Sequence, residues 1–136
     1  MLEEQIIEQI IKADKQVTVI YLFGSQANGT STPQSDIDIA IYSNKHYSNI
    51  ELYELKQTLE LFFSKNVDIV NLKKTDPIIN IQITNEGKLI FDPENYANLL
   101  ENKMMNEYQN LQENPYRQEQ IQDLKNRINN RGKING

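Results

Sequence analysis

Two aspartates, Asp36 and Asp38, stand one residue apart in the segment SDIDIA, twelve residues after Gly24 in the pair Gly24-Ser25. Carboxylates at alternate positions of a strand point to the same face, about 6.6 Å apart along the backbone, and repel each other unless a cation or a proton lies between them. Hard divalent cations prefer such oxygen ligands. The spacing therefore predicts a Mg²⁺ site, in which two ions could hold the attacking and leaving oxygens of a displacement at phosphorus.

A phosphate site and a third carboxylate complete this pattern. Gly24 lets the backbone approach a triphosphate closely, and the hydroxyl of Ser25, with nearby amides, can donate hydrogen bonds to phosphate oxygens. Asp68 in VDIV follows Asp38 by thirty residues, on a neighbouring strand, where it could bind the metal nearest the nucleophile and orient its hydroxyl proton. Each aspartate alone has an ordinary structural explanation, as a turn cap, a surface strand residue or a partner of a lysine. Their combination with Gly24-Ser25 favours an active site.

The hydrophobic pattern predicts the strands that position these residues. VTVIYLF, residues 17–23, is a continuous apolar and β-branched run, typical of a central strand that is covered on both faces. DIDIAIYS, residues 36–43, alternates polar and apolar and predicts a second strand. VDIVNL, residues 67–72, predicts a third strand, and KLIF predicts a fourth strand at an edge.

Four helices are predicted between and around the strands. Apolar residues at helical spacing indicate helices over about residues 1–13 and over residues 49–65, the latter capped by Asn49, with Leu52, Leu55, Leu59, Phe62 and Phe63 as its core stripe. Asp76-Pro77 opens a short helix that ends near Gly87, and Asp92-Pro93 opens a longer one to about residue 112. This order predicts a small α/β domain, a mixed sheet with flanking helices, over residues 1–114.

The C-terminal segment, residues 115–136, is predicted to be a separate polar and basic tail. It carries a net charge of +3, while the preceding residues carry −8. Only Ile121, Leu124 and Ile128 form an apolar stripe, so the sequence predicts a helix that is marginal alone and becomes ordered against a partner protein.

Composition restricts the class of protein. The chain has 136 residues, no cysteine and a formal net charge of −5, which excludes disulfides and thiolate metal sites and argues against direct nucleic-acid binding. The acidic, amphipathic N-terminus resembles neither a signal peptide nor a membrane span, so we expect a cytoplasmic protein that does not bind membranes. His46, the only histidine, is expected to be solvated rather than a metal ligand.

The residues FGSQANG, SDIDIA and VDIV together resemble the minimal nucleotidyltransferases of the DNA polymerase β superfamily, with the similarity covering about residues 17–91. The resemblance implies the polymerase β-like fold and transfer of a nucleoside monophosphate from NTP to a hydroxyl, with Asp36, Asp38 and Asp68 catalytic and Gly24 and Ser25 binding the nucleotide. Asn28 stands where the family often has an arginine. The loss of that cation would lower activity, unless Lys45 or a partner residue replaces it.

Single-domain members of this kind commonly act as antitoxins beside a HEPN-type ribonuclease. The resemblance therefore implies that this chain transfers AMP from ATP to a tyrosine hydroxyl of a cognate HEPN toxin. Two alternatives stay open. One is a small-molecule nucleotidyltransferase, as in aminoglycoside-modifying relatives, and the other is a non-catalytic antitoxin that blocks its toxin by contact.

Overall fold

The computed structural model describes residues 2–24, 35–111, 117, 119–124 and 126. In these ranges four helices, α1 (Leu2–Ala13), α2 (Asn49–Phe63), α3 (Pro77–Glu86) and α4 (Ala97–Leu111), surround four strands, β1 (Val17–Phe23), β2 (Ile37–Ser43), β3 (Val67–Asn71) and β4 (Lys88–Phe91). The predicted elements are confirmed, with boundaries that shift by at most three residues. No helix in the described ranges is both long and apolar enough to cross a membrane.

The four strands form one mixed sheet in the order β3-β2-β1-β4. β1 pairs antiparallel with both β2 and β4, whereas β2 and β3 are parallel. Parallel neighbours need a long crossover connection, and α2 provides it. The apolar run of β1 is buried along six of its seven residues, as expected for a central strand, and β4 lies at an edge as predicted.

Helices cover both faces of the sheet. On one face, α1 and α2 bury Ile6, Ile10, Leu55 and Leu59 against the isoleucines of β2. On the other face, α3 and α4 pack on the alternate residues of the strands, including Val19, Tyr21 and Ala40. Because side chains alternate along a strand, Asp38 lies on the same side of β2 as Ala40, the side that α3 and α4 cover.

The start and the core stripe of α2 differ from the prediction. Ser48, not Asn49, is the N-cap: its hydroxyl accepts a hydrogen bond from the Glu51 N–H, and the Glu51 carboxylate accepts one from the Ser48 N–H. This reciprocal pair satisfies two backbone donors at once, which an Asn49 cap would leave unpaired. Phe62 is also not in the core, because its side chain is 49% exposed.

The segment after residue 116 packs on the body of the domain where the structure describes it. Residues 119–124 are helical, and Ile121 and Leu124 are buried in the core formed with α3 and α4. Arg117 donates two hydrogen bonds of 2.7 Å to the carboxylate of Asp76, the residue that caps α3. The prediction that this segment has too little apolar surface to pack on the body is therefore wrong for Ile121 and Leu124. The predicted boundary at residue 114 and Ile128 lie outside the described residues.

Candidate active site

Strand register brings Asp38 and Asp68 together. The two residues are direct partners across the parallel pair of β2 and β3, so their backbones lie about 4.8 Å apart. Asp36 lies two residues earlier on the chain, just before β2 begins, and makes a further electrostatic interaction with Asp38. The structure therefore places all three predicted carboxylates at one end of the β2-β3 pair.

A negative charge on Asp38 is disfavoured in this cluster. Burial raises the pKa of the Asp38 carboxyl, and repulsion by Asp68, a hydrogen bond to Asp68 and repulsion by Asp36 raise the pKa further. All of these effects disfavour a second or third negative charge at the same place, and a bound cation would reverse that preference. Oxygen-only donors of this kind suit Mg²⁺, although no three acidic, histidine or cysteine side chains in the described part of the chain already converge as a metal-binding group.

Gly24 follows the end of β1 and lies beside this carboxylate cluster. Its φ is +69°, a left-handed conformation that glycine adopts without strain. A Cβ atom at this position would collide with the Asp38 carboxylate. Phe23, the residue before it, is the register partner of Asp38. The backbone of Gly24 thus lies close to the Asp38 carboxylate. Ser25 and Asn28 lie outside the described residues.

A cleft of about 290 Å³ opens beside Gly24. Its lining residues come from the end of β1, from β3 and from α3, namely Phe23, Gly24, Val70, Ile79, Gln82, Ile83 and Glu86. The sequence analysis did not identify this cleft, because none of its apolar residues differs in type from an ordinary core residue. In the structure, Ile79 marks this cleft, because it is 46% exposed on a helix that buries its other isoleucines.

Lys45 does not reach the carboxylates, so the prediction that it replaces the missing arginine is wrong. It follows the far end of β2, about 20 Å along the strand from Asp38 at ~3.3 Å per residue. There its ammonium group lies 3.1 Å from the Glu51 carboxylate and 4.9 Å from the centre of the Tyr47 ring.

A buried carboxylate at the opposite end of the sheet is structural. Asp14 is 4% exposed and accepts hydrogen bonds from the hydroxyls of Ser43 and Tyr47, each 2.6 Å long, and from the Gln16 N–H. Burial alone would raise the pKa of Asp14, but these hydrogen bonds outweigh it and hold the pKa below its usual value. Asp14 thereby joins the end of α1 to the end of β2.

The fold and the carboxylate cluster match a known family. The model of the polymerase beta nucleotidyltransferase family matches residues 4–96. The chain belongs to the polymerase beta nucleotidyltransferase family. The fold predicted from the resemblance is confirmed, since this nucleotidyltransferase has the mixed four-stranded sheet with flanking helices.

One relative and two solved structures are similar to this nucleotidyltransferase. The protein adenylyltransferase MntA of Shewanella oneidensis is 33% identical over 110 residues, which are 81% of this chain and 79% of the relative. A crystal structure of a toxin-antitoxin with AMP-PNP superposes with a TM-score of 0.80 at 32% identity, over 91% of this chain and 98% of that one. The structure of a tri-AMPylated HEPN toxin of S. oneidensis in complex with its MNT antitoxin gives a TM-score of 0.73 at 31% identity, over 90% and 94% of the two chains.

Proposed function

We propose that this nucleotidyltransferase is an antitoxin that transfers AMP from ATP to a tyrosine hydroxyl of a cognate HEPN ribonuclease toxin and thereby neutralises the toxin. The similarity to the adenylyltransferase MntA and to a complex with an AMPylated HEPN toxin supports this choice of reaction and acceptor. The observation that carries the proposal is that Asp38 and Asp68 are partners across neighbouring strands, with Gly24 in a left-handed conformation directly beside the Asp38 carboxylate. This arrangement suits a triphosphate with bound cations better than a purely structural role.

The protein residues in this reaction act by position and charge. The triphosphate lies against the backbone of Gly24, with the Ser25 hydroxyl as a further donor. The tyrosine oxygen forms a bond to the α-phosphorus, the bond from that phosphorus to the β-phosphate bridging oxygen breaks, and pyrophosphate leaves. Asp68 orients the hydroxyl and accepts its proton. Holding the two reactants in line accounts for most of the rate.

Asp36, Asp38 and Asp68 are the residues that would hold Mg²⁺, with two ions expected. When bound, the ions supply charge neutralisation at the phosphates and polarise the attacking and leaving oxygens. The raised pKa of Asp38 is consistent with this role, because a site that disfavours its own charge gains most from a cation. Removal of Mg²⁺ with EDTA should therefore abolish ATP binding measured by calorimetry, and equal affinities with and without EDTA would exclude the metal site.

The partners of the reaction are ATP and the toxin protein, and we expect neither a membrane nor a nucleic acid to take part directly. The net charge of −5 on the whole chain supports the second expectation. A reaction that consumes ATP and modifies a ribonuclease is expected to take place in the cytoplasm.

The test is AMP transfer to the HEPN protein encoded by the adjacent reading frame, which should carry an R-x(4)-H motif. Mass spectrometry of the toxin after incubation with ATP and Mg²⁺ should show the mass of one or more AMP groups on tyrosine. Asp38→Asn should abolish transfer while the protein stays folded, and Asp123→Asn, an exposed aspartate outside the site, is the matched control.

The outcomes separate the alternatives. Toxin that wild-type protein neutralises but leaves unmodified would indicate an antitoxin that acts by binding alone. Modification of an aminoglycoside in place of the toxin would indicate a small-molecule nucleotidyltransferase. Either result would overturn the proposed acceptor.

A further inference from the structure

A separate cavity of about 80 Å³ lies at the end of the sheet opposite the carboxylate cluster. The loop that follows β3, the helices α3 and α4 and the side chain of Tyr42 bound it. Its other polar lining residues are Lys73, Thr75, Asn80, Lys103 and Glu107. We call it the distal cavity. Its volume is enough for a few water molecules or one small ion, but it is too small for a nucleotide.

Asn80 presents an unsatisfied acceptor at the distal cavity. The residue is 2% exposed, and its Nδ2 donates hydrogen bonds of 3.1 and 3.2 Å to the carbonyl oxygens of Leu72 and Thr75. These two bonds identify the nitrogen of the carboxamide, because carbonyl oxygens only accept. The Oδ1 atom is buried and has no hydrogen-bond partner in the part of the chain that the structure describes. A buried acceptor without a partner is unfavourable, so the occupant of the cavity should offer it a donor.

Two ammonium groups give the distal cavity a net positive charge. Lys73 and Lys103 contribute to its lining, against the single carboxylate of Glu107. Among the described residues neither lysine forms an ion pair. The Lys73 Nζ lies instead 5.4 Å from the centre of the Tyr42 ring. This charge favours an anion as the occupant over a cation or a neutral molecule.

We propose that the distal cavity binds inorganic phosphate in a protonated form. The phosphate hydroxyl donates to Asn80 Oδ1, and the anionic oxygens accept hydrogen bonds from Lys73 and Lys103. The inference goes beyond AMP transfer and does not depend on it, because the cavity shares no residue with the carboxylate cluster.

Phosphate fits this lining better than other common oxyanions because it both donates and accepts hydrogen bonds. At neutral pH inorganic phosphate keeps at least one hydroxyl, whereas sulfate has none and would place a lone pair against Asn80 Oδ1. A phosphate monoester loses its last hydroxyl above about pH 6, so it has the same defect. Water satisfies Asn80 but leaves the ammonium groups of Lys73 and Lys103 without a counter-ion.

Bound phosphate should also stabilise the domain. The ion connects the loop after β3, through Lys73, with α4, through Lys103. A ligand that binds the folded state alone raises the melting temperature in proportion to the logarithm of its concentration above Kd. Phosphate should therefore raise the melting temperature of the full chain more than sulfate does at equal ionic strength.

The test is calorimetry of the full chain with sodium phosphate and sodium sulfate, at neutral pH and equal ionic strength, with EDTA and without nucleotide. EDTA removes divalent cations, so the carboxylates of the candidate active site repel both anions. Wild type should bind phosphate about tenfold more tightly than sulfate. This comparison tests Asn80 Oδ1 without a substitution that could disturb the loop bonded to Nδ2.

Lysine variants test the charged side of the site. Lys73→Met should weaken phosphate about tenfold and the more exposed Lys103→Met about threefold. Lys12→Met, at an exposed lysine of α1 on the other face of the sheet, is the matched control and should leave the affinity unchanged. Thermal melts of the same proteins should show the stabilisation by phosphate reduced in the first two variants only.

Equal affinities of wild type for phosphate and sulfate would overturn the role of Asn80 and the choice of phosphate. An unchanged affinity for phosphate in both Lys73→Met and Lys103→Met would overturn the site. Absence of phosphate binding, with no rise in melting temperature, would show that the cavity holds water only and would overturn the proposal as well. Each of these results leaves AMP transfer intact, and failure of AMP transfer would leave the phosphate site intact.

Discussion

Substitution of Gly24 by alanine should damage the site in two separable ways. The first is backbone strain, because alanine at a φ of +69° costs about 1–2 kcal/mol. The second is the collision of the new Cβ with the Asp38 carboxylate, which must rotate away from its preferred rotamer at a cost of about 1 kcal/mol. The total of about 2–3 kcal/mol should lower the melting temperature by roughly 10 °C for a domain of this size.

A double-mutant cycle with Asp38→Ala separates the two contributions. Once the carboxylate is absent, only the backbone strain remains, so Gly24→Ala should cost about 1 kcal/mol less in the Asp38→Ala background than in wild type. Urea denaturation of the four proteins gives both costs from their free energies of unfolding. Calorimetry should also show that Gly24→Ala alone lowers the affinity for ATP with Mg²⁺ at least tenfold.

Equal costs of Gly24→Ala in the two backgrounds would contradict this reasoning. Gly24 would then be needed for its φ alone, and its approach to Asp38 would have no energetic consequence. An unchanged affinity for ATP would further show that the phosphate does not approach the backbone at this residue.

Three further predictions concern stability. Folding raises the pKa of Asp38, so its ionisation destabilises the folded state as pH rises through the folded-state pKa. Asp38→Asn should therefore be at least as stable as wild type at pH 7. In thermal melts this difference in stability should disappear below about pH 4. The pKa of Asp14 is lowered, so its contribution is present at pH 7 and is lost as pH falls through the folded-state pKa. Asp14→Ala should therefore cost about 2–4 kcal/mol at pH 7 in urea titrations and less on acidification, with exposed Glu8→Ala as the control. Deletion of residues 115–136 should cost about 2–4 kcal/mol by exposing the apolar surface that Ile121 and Leu124 bury, whereas Asp123→Ala, at an exposed position of the same segment, should cost less than 1 kcal/mol; equal costs would show that these contacts do not stabilise the domain.

The sheet and the carboxylates could be predicted because their signals are local. The apolar run of β1 and the alternation of polar and apolar residues in β2 each indicate which faces of the strand are buried. Asp36 and Asp38 face the same way because side chains alternate along a strand with a period of two residues. The approach of Asp68 to Asp38 depended on correct strand pairing, which the resemblance to the family implied and the register confirms.

The remaining features depend on contacts between residues distant in sequence. The burial of Ile121 and Leu124 requires the core of α3 and α4 as a partner, and the sequence of the C-terminal segment does not contain that information. Lys45 is close to Asp38 in sequence, but the extended strand between them carries it to the opposite end of the sheet. The cleft beside Gly24 arises where three elements meet, so no single stretch of sequence indicates it.

Labelled ATP tests the central claim most directly, because the position of the label identifies the bond that breaks. The full chain and its HEPN toxin are incubated with Mg²⁺ and with ATP that carries radioactive phosphorus at either the α- or the γ-phosphate. The account predicts that the toxin retains the α label, that the γ label is released as pyrophosphate, and that Asp38→Asn transfers neither. Retention of the γ label on the toxin would show phosphoryl transfer instead, and absence of both labels with wild type would contradict AMP transfer to the toxin.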